Sequence, residues 1–210
     1  MGSLADALAP RELHEQRGPF HLHGANFLIA VAEAERLEMA IAQCALTQAL
    51  GAYAQNQRSF SEAAECFQRF AELNRARGEK KNEAAAYHQL GRIAQEQRDF
   101  ASARDWYQKA LHIDEKLGNE HGAAITYGQL GIVADLQDQY EEASSWLIRS
   151  IRGFLRTNDR HLAVRNTRNL RIVYNRTPEA GKEKLRAKWE EAGLGSWPLD
   201  DAAEETESGE

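Results

Sequence analysis

The chain has 210 residues, 42% of them hydrophobic and 28% charged, with a formal net charge of -6 and a mean hydropathy of -0.63. That length suits one domain with a real core, and four prolines among many Ala, Gln, Glu and Arg residues favour helices and leave strands little support. The acidic balance argues against non-specific nucleic-acid binding by the whole molecule; no apolar run approaches the ~20 residues of a membrane span, and Met1 to Pro10 lacks the regions of a secretory signal, so a cytoplasmic location is expected.

Residues 1–19 are expected to be a flexible segment. In residues 20–36, Phe20, Phe27, Ile29 and Ala30 align loosely with half of a repeat and are expected to cap the front. His21 and His23 stand two apart and would point to different helix faces, with no further ligand cluster nearby, so no metal and no cofactor are expected. Cys44 and Cys66 each fall within a helical pattern and read as buried free thiols.

A period of 40 residues then governs the chain. Leu50, Leu90, Leu130 and Leu170 keep it, as do Gly51, Gly91 and Gly131, and Ala54, Ala94 and Ala134. Further on, Phe60, Phe100 and Tyr140 repeat, then Ala63, Ala103 and Ala143, and a bulky slot filled by Phe67, Tyr107 and Leu147. Within one unit, Ala86, Tyr87, Leu90, Ile93 and Ala94 make one helical stripe, and Phe100, Ala103, Tyr107, Ala110 and Leu111 make a second. Only Gln97, Arg98 and Asp99 separate them, which predicts an antiparallel helical hairpin. Ser59, Asp99 and Gln139 stand at the start of each second helix as caps, Ser59 with Glu62 as a capping box, and Gly78 and Gly118 mark the turns between units. Small residues such as Gly91 and Ala103 are expected to let paired helices approach closely.

Tyr87, Leu90, Gly91, Ala94, Phe100, Ala103, Tyr107 and Ala110 match the tetratricopeptide signature, and three consecutive units carry it. The chain resembles the long-repeat members of that family, similar to kinesin light chain and to bacterial sensor and regulator proteins. The resemblance implies an all-α, right-handed α-solenoid of antiparallel hairpins, about three clear repeats with degenerate caps. That family's usual period is about 34 residues, so each unit here carries about six more, expected to be split between longer helices and the turn between repeats. The solenoid is expected over residues 20–193.

Leu170 keeps its place but Arg171 replaces the glycine, so the fourth hairpin is expected to fall out of register, with Thr177-Pro178 opening a capping helix anchored by Leu185 and Trp189. Residues 194–210, rich in Asp and Glu, are expected to be an acidic disordered tail.

The resemblance implies a ligand groove on the exposed side of the first helices. Its candidate positions are Gln48 and Gln55; His88, Gln89, Arg92 and Gln95; Gln129 and Asp135; and Arg165, Arg168 and Asn169. Amides offer donors and acceptors to an extended peptide backbone, and arginine adds bidentate carboxylate or phosphate recognition. Gly128, Ile132 and Ala52 sit where a dicarboxylate clamp would want polar groups, so a chaperone-tail receptor is not expected. Arg149, Arg152, Arg156, Arg160, Arg171 and Arg176 read as a basic face. No phosphate loop, nucleophile motif or carboxylate pair stands out, so no enzyme is expected. The reading is a protein- or peptide-binding adaptor or sensor module, with an extended or acidic partner segment and a separate effector. Phosphate binding on nucleic acid through the basic face, and a self-associating scaffold, are the alternatives.

Overall fold

The computed structural model describes residues 28–198, so His21, His23, Phe20, Phe27, the segment 1–19 and the chain beyond 198 lie outside the described residues. After a helix over residues 28–36 (α1) come α2 (Ala40–Asn56), α3 (Phe60–Ala76), α4 (Lys80–Glu96) and α5 (Phe100–Lys116). They are followed by α6 (Glu120–Leu136), α7 (Tyr140–Arg156), α8 (Arg160–Arg176) and α9 (Glu179–Glu191). Strands are absent among the described residues.

From α2 to α8 every helix has 17 residues, and from α3 onward each starts 20 residues after the one before. Each three-residue link places its middle residue at positive φ, between 54° and 73°: Glu38, Arg58, Gly78, Arg98, Gly118, Asp138 and Asn158. Two backbone bonds close each turn in the same way, as where Asp99 N–H donates to the Ala94 carbonyl at 2.9 Å and Arg98 N–H to that of Gln95 at 3.0 Å. This is a Schellman closure, and it satisfies carbonyls that a helix end leaves open. Links between repeats are therefore as short as links within them, and the extra length over the shorter family period lies in the helices, not in the turns as partly expected.

Of the expected caps, Asp99 Oδ1 accepts from Ser102 N–H at 3.1 Å, whereas Ser59 and Gln139 make no cap bond. Capping instead appears at two starts the sequence reading passed over, where Asn119 accepts from Gly122 N–H at 3.2 Å and Asp159 from Leu162 N–H at 3.0 Å.

Two compact units divide the chain, residues 1–110 and 111–210, with the boundary inside α5. In the first, Ala34, Leu46 and Ala49 form a small core with Leu50 and Tyr53 against it. A Cβ on Gly51 would meet Cε2 of Phe67 at 3.1 Å, and one on Gly91 would lie 2.6 Å from the Tyr107 ring. The repeating glycine thus makes room for the bulky slot of the partner helix. Tyr87 and Trp106 stack at 5.6 Å between centroids. Cys44 is buried and Cys66 only half-buried, neither in a disulfide, and burial beside Glu65 and Glu62 pushes the Cys66 thiol up to about 11.

The second unit is cored by Leu147, Ile151, Phe154, Leu170, Val173, Leu185 and Trp189. Here a Cβ on Gly131 would meet Leu147 at 2.7 Å. Helix α9 has 13 residues and starts one place before the 20-residue register, after Thr177 in extended conformation and Pro178 as N-cap. It docks on α7, where Lys188 Nζ donates to Ser145 Oγ at 2.8 Å and to Glu141 Oε1 at 3.3 Å. The chain then folds back: Trp189 Nε1 donates to the carbonyls of Gly195 and Ser196 at 3.1 Å, and buried Trp197 meets Trp189 and Tyr174. Packing therefore continues past residue 193.

Candidate functional site

In the first unit the candidate row separates into exposed members and members bound up in packing. Gln48 is exposed, and exposed Arg92 donates to Gln89 Oε1 at 3.2 Å. Gln55 is buried, with its Nε2 donating to Glu96 Oε1 at 2.9 Å, and Gln95 Oε1 accepts from the Tyr107 hydroxyl at 2.9 Å. Both amides are engaged within the stack of hairpins. His88 packs its ring 5.4 Å from that of Tyr107, and its buried Nε2 has no hydrogen-bond partner. Burial, with Arg92 nearby, pushes its pKa down to about 4. It is a neutral packing residue.

The second unit brings four of the candidates together. Gln129, Arg165 and Asn169 line a cavity of about 280 Å³ between α6 and α8, and Asp135 and Asn169 line an adjoining one of about 170 Å³. The two share Ile132 and Asn169, and so form one cleft with an amide and arginine end and an apolar end. Ile172, half-exposed, and Val173 provide the apolar walls. Neither was singled out from the sequence as a site residue.

A buried polar chain fixes the floor of this cleft. Ser150 Oγ donates to the Ala124 carbonyl at 2.6 Å, Asn166 Nδ2 donates to Ser150 Oγ at 3.0 Å, and Asn169 Nδ2 reaches Asn166 Oδ1 at 3.4 Å. Gly128 is needed beside it, since a Cβ there would sit 3.2 Å from Ser150 Oγ and 3.3 Å from the Asn166 amide. Three helices are pinned by one network, and Asn169 is held at the cleft surface by its end.

The arginine-rich stretch does not form one face. Arg149, Arg152 and Arg156 on α7 line a separate cavity. On α8, Arg165 faces the cleft, while exposed Arg160, Arg168 and Arg171 line none of these cavities. Arg176 is bound by Asp135 at 2.8 Å and Asp138 at 2.7 Å, with its guanidinium 5.2 Å from the Tyr140 ring. Pairs 41 residues apart such as Arg176 with Asp135 cannot be found from spacing along a single helix.

Among the described residues no group of three or more His, Cys, Asp or Glu is placed to hold a metal, and no helix is long and apolar enough to cross a membrane.

Residues 38–116 match the model of the tetratricopeptide repeat family. Among solved structures, the chain is similar to BtubC (BKLC) from P. vanneervenii, with 21% identity, a TM-score of 0.70, and coverage of 94% of this chain and 84% of that one. It is also similar to a Signal Transduction ATPase with Numerous Domains protein with a tetratricopeptide repeat sensor, from Pyrococcus horikoshii. There the identity is 18% and the TM-score 0.74, over 94% of this chain and 30% of that longer one. At such identities the likeness is one of fold, an all-α solenoid of helical hairpins. No curated protein matches the sequence.

Proposed function

We propose that this tetratricopeptide-repeat chain is a non-enzymatic adaptor or sensor module that captures an extended protein segment in the α6–α8 cleft and passes that binding on to a separate effector. Repeats of this kind are protein-interaction modules, and the family is typically non-catalytic. The observation that carries the reading is the cleft itself, where Gln129, Arg165 and Asn169 meet beside Ile132 and Ile172. Its chemistry suits a segment with an acidic side chain for Arg165, backbone groups for Gln129 and Asn169, and an aliphatic side chain for the apolar end. The sensor assignment draws support from the tetratricopeptide sensor of the Pyrococcus horikoshii protein.

A protein segment is preferred to nucleic acid because the arginines are dispersed over separate surfaces and Arg176 is already neutralised. A phosphate backbone is best met by a continuous basic track.

Selection of random peptides on the purified chain tests the reading. Enriched peptides should combine Asp or Glu with an aliphatic residue; Arg165→Glu should weaken them at least about tenfold through loss of a charged hydrogen bond, and Asn169→Ala about fivefold through loss of a neutral one. Peptides that bind both variants as well as the wild type would overturn it.

A further inference from the structure

A cavity of about 420 Å³ opens in the second unit where the link between α5 and α6 faces the second half of α7, and it shares no wall with the α6–α8 cleft. Arg149, Arg152 and Arg156 line it, spaced three and four residues apart on one helix face. The Arg149 guanidinium lies 5.1 Å from the Trp146 ring centroid and 5.9 Å from that of Tyr127, contacts that orient it without using its N–H donors. Arg156 is paired with Glu120 at 3.1 Å, whereas Arg149 and Arg152 make no ion pair among the described residues.

The acids on the facing wall are already engaged. Tyr127 donates its hydroxyl proton to Glu115 at 2.6 Å, and Asn119 Nδ2 donates to Asp114 at 2.7 Å. What remains unspent is the pair of guanidiniums on α7.

One repeat earlier, the corresponding side chain is present in the protein itself. Glu83, 40 residues before Ala123, is buried and accepts from Lys80 at 2.7 Å, Arg75 at 2.9 Å and the Tyr87 hydroxyl at 3.1 Å. At the cavity wall Ala123 leaves vacant the volume that the Glu83 side chain takes at the equivalent position.

We propose that this cavity binds a small oxyanion, a carboxylate or phosphate on a compact organic body, with Arg149 and Arg152 as its donors and the Tyr127 ring against its body. The volume is that of a metabolite site. Asp114, Glu115 and Glu120 on the facing wall oppose an extended polyanion, which restricts the ligand to a compact one. Guanidinium forks bind either oxyanion in bidentate fashion.

The full chain is titrated with inorganic pyrophosphate and, separately, with citrate, following tryptophan fluorescence and heat, since Trp146 stacks on Tyr127 and Arg149. One-site saturable binding is expected, tighter for pyrophosphate if the ligand is a phosphate and for citrate if it is a carboxylate. Arg149→Gln and Arg152→Gln should each weaken it about tenfold. Ala123→Gln, which restores a side chain of the length of Glu83, should abolish it, and Lys81→Gln in the other unit should leave it unchanged. Absence of saturation by either probe, or equal affinity in both arginine variants and the wild type, overturns the proposal. Both arginines are exposed, so their variants decide the matter even if Ala123→Gln fails to fold.

Discussion

His88 illustrates how one side chain is reassigned once its neighbours are known. In the sequence it stands among Gln89, Arg92 and Gln95 as a groove candidate, yet it lies against Tyr107 with Nε2 buried and unpartnered. Its imidazole is harder to protonate in the folded chain than in the unfolded one, so the unfolded state takes up more protons as pH falls. The associated stability is intact above pH ~6.5 and lost as pH falls through about 4. Urea unfolding at pH 7 and pH 4.5 should show the wild type losing about 2 kcal/mol more than His88→Gln over that interval. Equal losses in the two proteins would show that His88 does not titrate in this way. Which amides are engaged in packing was hidden for a related reason: Gln55 and Gln95 look like Gln48 in sequence, and only the folded chain shows their contacts with Glu96 and Tyr107.

Helices and their pairing were far more legible. The 40-residue recurrence of Leu, Gly and Ala reports the places where hairpins touch, because close packing tolerates few substitutes there. The glycine is explained by a ring, not by a backbone: Gly91 clears space for Tyr107, and Gly131 for Leu147. Gly91→Ala should therefore destabilise the fold by about 1–3 kcal/mol, measured as a lowered urea midpoint at unchanged slope. The double variant with Tyr107→Leu should recover part of the loss, and failure to recover any would contradict the steric account. The half-length period of 20 was less visible, since only Gly78 and Gly118 advertise left-handed links while Arg58, Arg98, Asp138 and Asn158 adopt the same geometry without glycine. Those residues carry a local cost of about 1 kcal/mol each, offset by the Schellman bonds that close every turn.

For the molecule as a whole, the ends decide how far the repeat can run. In the second unit, α9 leaves the register and lies on α7, and Trp197 seals Trp189 from solvent. Leu185 and Trp189 are legible as anchors in a charge-rich stretch, whereas the acid-rich composition beyond residue 193 masks the one aromatic, Trp197, that joins their core. Trp197→Ala should lower stability by roughly 3 kcal/mol with the groove residues untouched, read by thermal unfolding. An unshifted midpoint would mean that residues 194–198 add nothing to the cap.

The uniform helices and links also set a rule of inheritance for this gene. A one-residue insertion inside any helix from α2 to α8 would turn everything after it by about 100°, which carries leucines outward and arginines inward. Loss or gain of 20 residues would exchange first helices for second ones, and with them the binding side for the far side. Only blocks of 40 residues restore both helix phase and hairpin identity, so length variants that still fold should differ in multiples of that block.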